Sequence, residues 1–460
     1  MDQLAALVDT ISGFVWNNIL LFLLVGTGII FSIRTRFVQV RKFGTGVRQL
    51  FGAFSLNGKK ADHEGMSSFQ ALTTAIAAQV GTGNITGCAT ALVSGGPGAI
   101  FWMWLSAFFG MSTIYGEAVL AQKFRTVDQN GHATGGPIYY ITAAFKGKFG
   151  KFLAGFFSIA IIFALGLTGN MVQSNSIGDA CSTAFHIPKL AIGIACAIVA
   201  GFIFIGGVQR IASFTEKIVP IMAVFYIIGC VAILFINHAA LLPALKSIFV
   251  CAFDPQALLG AACGVGVREA MRYGVARGLF SNEAGMGSTP HAHALAKVKD
   301  PEEQGIVAMM GVFIDTFIVL TLTALVILTS GCLEVGGGLK GTALAQAAFS
   351  GAFGHFGNIF VAICMLFFAF STIIGWYFFG KVNFQALFGQ KATKIYALLV
   401  VAFIVLGSTL KVDLVWNLSD LFNALMVFPN LLALLALSGI VSRVAHHKDT
   451  PTRLDSSAKN

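Results

Sequence analysis

Ala77-Ala78-Gln79-Val80-Gly81-Thr82-Gly83-Asn84-Ile85-Thr86-Gly87 lies in the middle of an apolar run from Phe69 to Val93. A run of that length with so little charge predicts a membrane-spanning helix. Its centre nevertheless carries Gly81, Gly83, Gly87 and Asn84 where leucines are expected. Glycine is the weakest ordinary residue in a helix interior, and in hydrocarbon every freed backbone group needs a partner. Two readings stay open. The helix breaks at membrane depth and its loose N–H and C=O groups hold a ligand, or Gly83 and Gly87 form a close-packing pair.

Working outward, the chain of 460 residues is 56% hydrophobic and 11% charged, with a mean hydropathy of +0.80. That composition predicts an all-α polytopic membrane protein whose partner is the lipid bilayer. The 52 glycines and 43 phenylalanines suit helices that pack through small residues with bulky groups in the gaps. A formal charge of +10 would suggest nucleic acid in a soluble protein. Here the basic residues sit in short loops between apolar spans, so no nucleic-acid partner is expected. The eight cysteines show no CxxC or metal spacing and read as buried apolar residues. The segment Met1 to Ile19 lacks a basic start and a small-residue cleavage site, so the first span is expected to be retained.

Eleven spans are expected: a leading helix over Phe14–Ile33, then Phe69–Val93, Gly98–Ala121, Phe152–Met171, Leu190–Gly207, Val219–Ile236, Ala257–Asn282 (interrupted), Ile306–Leu328, Ile359–Phe379, Ile395–Leu410 and Val415–Val441. Charge sets the orientation. With the N-terminus outside, the outer loops hold only Lys189, Lys246, Lys340 and Lys411, while the first inner loop alone holds Arg34, Arg36, Arg41, Lys42, Arg48, Lys59 and Lys60. The positive-inside rule therefore places the N-terminus outside and the C-terminus in the cytoplasm. Within 37–66, Phe37, Val40, Phe43, Val47 and Leu50 recur at helical spacing among basic residues, the pattern of an interfacial helix. Short loops suit a bacterial inner (plasma) membrane.

After the accessory helix (14–33), two sets of five spans remain, 69–236 and 257–441, followed by a tail at 442–460. The first span of one set starts inside and that of the other starts outside, the arithmetic of an inverted repeat within one transporter domain, 1–460. The repeat predicts a second break in the seventh span overall. Gly264–Gly266 and Gly278–Asn282 are both candidates, and the latter is preferred because it lies close upstream of the short segment leading to the next span. A plain cytoplasmic loop over Ser281–Ser288 is the alternative.

Six stretches carry a family resemblance. They are Gly81-Thr82-Gly83-Asn84-Ile85-Thr86-Gly87, Gly95-Gly96-Pro97-Gly98-Ala99-Ile100-Phe101-Trp102-Met103-Trp104, Gly135-Gly136-Pro137-Ile138-Tyr139-Tyr140, Gly169-Asn170-Met171-Val172-Gln173-Ser174-Asn175, Ala276-Arg277-Gly278-Leu279-Phe280-Ser281-Asn282-Glu283-Ala284-Gly285 and Ser371-Thr372-Ile373-Ile374-Gly375-Trp376-Tyr377. In order and spacing they resemble the alanine-or-glycine:cation symporter family. The resemblance implies the LeuT-type fold, with a five-plus-five inverted repeat, one extra N-terminal helix and core helices 1 and 6 unwound. It also implies sodium-driven uptake of small amino acids, with sodium as a co-transported ion and no cofactor.

An amino acid zwitterion needs donors for its carboxylate. A half-helix N-terminus supplies N–H groups and positive dipole, which points to Thr82 and Gly83, with Gly81 allowing close approach. Gln79, Asn170, Gln173 and Asn282 add amides. Carbonyls of Ala77, Ala78 and Val80 offer hard oxygens suited to Na⁺. By resemblance, Asn84 ligates one sodium, and Ser371 and Thr372 join the carbonyls in a second site; Asp315, alone in its span, adds charge beside Asn84, since an intramembrane carboxylate is costly and functional by default. Asp315 bonded to a neighbouring backbone, or hydroxyls bonded to their own turn, are the bland alternatives. Trp376, which shares a helix face with Thr372, and Phe280 wall the side-chain end, leaving room for alanine or glycine; ordinary packing is the other reading. Glu283 is expected to pair with Arg277 or Arg272, and Glu117 with a loop Arg.

No Walker loop is present, and no paired acid and base or HExxH suggests an enzyme. Two broken helices favour an occludable pocket over a channel filter. Proton coupling through Asp315 or Glu283 in the same fold is the alternative to sodium. A monomer is expected.

Overall fold

Ser67 starts the decisive helix. Its hydroxyl accepts the Gln70 N–H at 3.0 Å and the Gln70 side chain accepts the Ser67 N–H at 3.1 Å, a capping box. The helix runs over Ser68–Gln79 (α3) and stops where Val80 turns extended, at φ −80° and ψ 91°. A π-turn over Gly83–Gly87 leads into a second half, Cys88–Gly95 (α4). The computed structural model describes residues 10–52, 65–127, 131, 133–254 and 266–447.

Before α3 lie Thr10–Arg34 (α1) and the surface helix Phe43–Gly52 (α2). After α4 come Gly98–Lys123 (α5), Gly147–Phe185 (α6), Lys189–Ile205 (α7), Gly207–Ile236 (α8) and His238–Phe253 (α9). Val267–Asn282 (α10), Pro301–Ser330 (α11), His355–Phe388 (α12), Thr393–Thr409 (α13) and Val412–Ala445 (α14) complete the chain. Among the described residues, 8 helices are long and apolar enough to cross a membrane. Phe152, Ile198, Phe202, Ile205, Phe235 and Leu398 stand exposed on the outer surface, the side a bilayer covers. The protein is a multi-pass helical membrane protein. The positions 257–265, the first two residues of the Gly264–Gly266 alternative and the tail from 448 lie outside the described residues.

The α3–α4 pair sits at the centre. α3 packs on α8 and α12, and α4 packs on α10. α10 stays helical through Gly278 to Asn282, so the break expected at 278–282 lies a few residues later. Left-handed backbone at Glu283 (φ 58°), Gly285 (92°) and Gly287 (79°) unwinds the chain there. Every residue from 274 to 296 is buried, so Ser281–Ser288 is packed inside the protein rather than exposed as a surface loop. At their other ends the two broken segments are tied: Met66 N donates to Leu295 O and Lys297 N to Met66 O, both at 2.9 Å.

The glycine pair in the break divides its work. A Cβ on Gly83 would come within 2.9 Å of the Ser281 Cα, so the backbones of the break and α10 meet there. At Gly87 the nearest atom is a Trp416 ring carbon at an ordinary 3.7 Å. Gly83→Ala is therefore expected to destabilise by about 1–3 kcal/mol through overpacking, while Gly87→Ala is tolerated. Thermal unfolding of the two detergent-solubilised variants checks this, and equal midpoints would count against the close approach.

Candidate functional site

Where α3 ends, its last carbonyls meet two hydroxyls of α12. Thr372 Oγ1 donates to Ala77 O at 2.8 Å and lies 3.5 Å from Val80 O. Ser371 Oγ lies 3.5 Å from Ala77 O. Both hydroxyls also reach Phe368 O in their own helix, at 2.9 and 3.0 Å, so the bland reading describes part of their bonding. All four groups are buried. They form an oxygen set of the kind that hard cations take. Ala78 is not part of it. Successive helical carbonyls point about 100° apart, and Ala78 instead backs onto Gly375, where a Cβ would lie 3.3 Å from its N and Cα.

On the other side of the break stands Asp315, fully buried. Asn84 Nδ2 donates to Asp315 Oδ1 at 2.6 Å and to its carbonyl at 3.2 Å, while Asn84 Oδ1 accepts the Gly81 N–H at 2.9 Å. Ser281 Oγ donates to Oδ1 at 2.9 Å and Thr316 Oγ1 to Oδ2 at 2.8 Å. Asp315 thus bonds to side chains of three segments rather than to a neighbouring backbone alone. Asn282 Nδ2 reaches Thr316 Oγ1 at 3.1 Å, and Gln79 Nε2 donates to Asn282 O at 2.7 Å. One network joins the break, the end of α10 and the middle of α11.

Two π-turns aim these residues. In α6, Ile162–Gly169 forms one just ahead of Asn170 and Gln173, and in α11, Phe313–Leu320 forms another around Asp315 and Thr316. Such turns shift helical phase by a residue and recur at functional sites. Gln173 Oε1 accepts the Thr82 N–H at 3.1 Å, so that N–H, expected to serve a ligand directly, is occupied by the amide. The orientation leaves Gln173 Nε2 buried without a partner, as are Thr82 Oγ1 and Gln79 Oε1. Asn170 Nδ2 bonds Gly166 O in its own helix at 3.1 Å, and its Oδ1 is likewise unpartnered. Unpaired buried polar atoms are costly, and a cluster of them fits a polar ligand.

Phe280 and Trp376 meet edge to face, centroids 5.5 Å apart. The Trp376 indole N–H donates to Glu283 Oε1, and Ser288 Oγ donates to Glu283 Oε2 at 2.5 Å. Glu283 is therefore not the partner of Arg277 or Arg272. Arg277 makes a bidentate pair with Asp420 (2.8 and 2.7 Å) across to α14 and lies over the Trp416 ring at 4.5 Å. Among the described residues Glu117 pairs with no loop Arg; it accepts Gly285 N (3.0 Å), Gly287 N (2.9 Å) and Asn430 Nδ2 (2.7 Å), which fixes the unwound segment. Trp376 for Glu283, Asp420 for Arg277 and Asn430 for Glu117 are all remote in sequence. Ser281, Thr316 and this Glu117 tie escape sequence reasoning; the only signal for the first two is a hydroxyl adjacent to a residue already singled out.

A cavity of about 550 Å³, lined by Ser12, Trp16, Thr86, Arg277, Trp416 and Asp420 among others, opens at the end where α1 begins. Another of about 300 Å³, with His291, Lys381 and Gln385, opens at the opposite end. The buried network lies between them.

Residues 1–456 match the family described as the sodium:alanine symporter family. The chain is 44% identical to the sodium/alanine symporter AgcS of Methanococcus maripaludis, over 95% of each chain. It is 40% identical to the probable sodium/glutamine symporter GlnT of Bacillus subtilis, over 95% of this chain and 88% of that one. Among solved structures it superposes on MhsT in complex with L-phenylalanine with a TM-score of 0.59 at 14% identity, covering 85% of this chain and 100% of that one. A manganese transporter of Eremococcus coleocola gives 0.51 at 13%, covering 85% and 89%. These neighbours share the LeuT-type fold. The chain belongs to the sodium:alanine symporter family and is a membrane transporter, not an enzyme.

Proposed function

We propose that the protein is a sodium-coupled secondary symporter that imports small neutral amino acids, alanine or glycine, by alternating access. The observation that carries this is the polarity of the buried atoms around the break. Gln173 Nε2 and the Thr82 hydroxyl offer donors to a carboxylate. Beside them lie two candidate cation sites: the oxygens of Ala77, Val80, Ser371 and Thr372, and the Asp315 carboxylate, held by the Asn84 amide N–H. Asn84, Ser281 and Thr316 all donate to Asp315, so its two oxygens are held in place beside the break, where a sodium ion would meet them. Phe280 and Trp376 close the side-chain end, which favours a methyl group or hydrogen.

Eleven spans, a five-plus-five inverted repeat over 69–236 and 257–441 and unwound core helices 1 and 6 complete the reading. The 1–460 chain is one transporter domain, monomeric, in a bacterial inner membrane with its N-terminus outside. The Arg277–Asp420 pair then lies between the outer cavity and the Phe280–Trp416 contact (centroids 4.7 Å), where opening and closing must occur. Uptake of radiolabelled alanine into proteoliposomes tests the function. A several-fold stimulation by an inward sodium gradient is expected. Uptake driven by a proton gradient alone, or no uptake of alanine, glycine or serine, would overturn it.

A further inference from the structure

Below the Ala77 carbonyl, polar side chains continue along the seam between α3 and α8. Thr74 Oγ1 lies 3.0 Å from Thr215 Oγ1, and Gln70 Nε2 donates to Glu216 Oε2 at 3.0 Å. All four residues are buried, Glu216 at 4% exposure. At the upper end, Met222 Sδ of α8 lies 3.6 Å from Ser371 Oγ. Positions 70, 74 and 77 follow one face of α3, and 215 and 222 one face of α8. The column therefore descends about 10 Å from the Ala77–Thr372 oxygens, at ~1.5 Å per residue, toward the end of the molecule where α3 begins.

Glu216 Oε1 has no hydrogen-bond partner, and among the described residues no basic side chain pairs with the carboxylate. Burying a carboxylate this way is expensive unless a cation visits it. Its neighbours within one helical turn include the Thr74 and Thr215 hydroxyls, oxygen donors of the type sodium accepts.

We propose that Glu216, with the Thr74 and Thr215 hydroxyls, is a release site for Na⁺ on its way from the Ala77, Val80, Ser371 and Thr372 oxygens to the cytoplasm. The proposal rests on the sodium-symport reading and its orientation. A mere latch between α3 and α8 is the competing role, and the two separate experimentally. Glu216→Gln removes the charge but keeps an oxygen to accept the Gln70 N–H, so the tie persists. Thr215→Val removes one ligand oxygen and leaves both carboxylate and tie.

The test is sodium-driven alanine uptake into proteoliposomes loaded with graded internal Na⁺. For Glu216→Gln the internal Na⁺ concentration that halves uptake is expected to rise about tenfold, the scale of one lost charged contact. Thr215→Val should shift it the same way by about threefold, as for a neutral hydrogen bond. Half-saturation by external Na⁺ should stay within about twofold in both, the size of an untouched site's scatter. Unchanged internal dependence in both variants, or equal shifts on the two sides, overturns the release site. Should Glu216→Gln fail to insert, Thr215→Val decides alone. A wild type without sodium-stimulated uptake overturns the symport reading and this site together.

Discussion

Asn84→Ala is expected to lower sodium-driven alanine uptake by at least ~100-fold while the protein still inserts and folds. Asn84 makes three bonds within the break: Gly81 N–H to its oxygen, and its amide to the Asp315 carboxylate and carbonyl. Alanine leaves the Gly81 N–H without an acceptor and strips Asp315 of its shortest donor. Each loss costs about 1–3 kcal/mol in a buried setting. The proposed sodium site also loses the amide that holds the Asp315 carboxylate in place. The deficits fall on the bound state and on the shape of the break, whereas the flanking α3 and α4 keep their helical bonds. Uptake and size-exclusion profile measured on the same preparation check this. Full uptake by a well-folded variant would remove Asn84 from the site.

Much of this arrangement was legible in the sequence. Glycines at 81 and 83 inside an apolar run cannot sustain a regular helix, so the end of α3 was foreseeable, as was the burial of Asp315, the lone carboxylate of its span. What escaped has physical causes. Gly278 attracts a break because glycine costs a helix about 1 kcal/mol, but α10 absorbs that cost and runs on. The actual unwinding starts at Glu283, a residue whose left-handed backbone no composition rule anticipates. Pairing Glu283 with Arg277 assumed that nearby charges meet, yet Arg277 reaches Asp420, 143 positions away. The π-turns in α6 and α11 are invisible to a 3.6-residue period, although they set the phase of Gln173 and Asp315. Glu117 likewise serves the backbone of Gly285 and Gly287, a partner without a side chain to find.

Trp376 carries the second large effect, on selectivity. Its ring lies edge to face with Phe280 and fills the space beside Gly169, where an added Cβ would come within 2.6 Å of the ring. The indole cannot swing away freely, because its N–H is held by Glu283, itself held by Ser288. Trp376→Ala removes the wall and opens room for several methylene groups, each worth about 1–3 kcal/mol of discrimination in an apolar pocket. Unlabelled leucine, expected to be a poor competitor of alanine uptake in the wild type, should compete at least ~10-fold better in this variant. Trp376→Phe separates bulk from bonding. It retains an aromatic wall but leaves a Glu283 oxygen without its donor, so stability and rate fall while alanine stays preferred over leucine. If leucine competes no better against Trp376→Ala than against the wild type, the wall lies elsewhere. If Trp376→Phe broadens selectivity as much as Trp376→Ala, the Glu283 bond rather than ring volume sets the pocket's size.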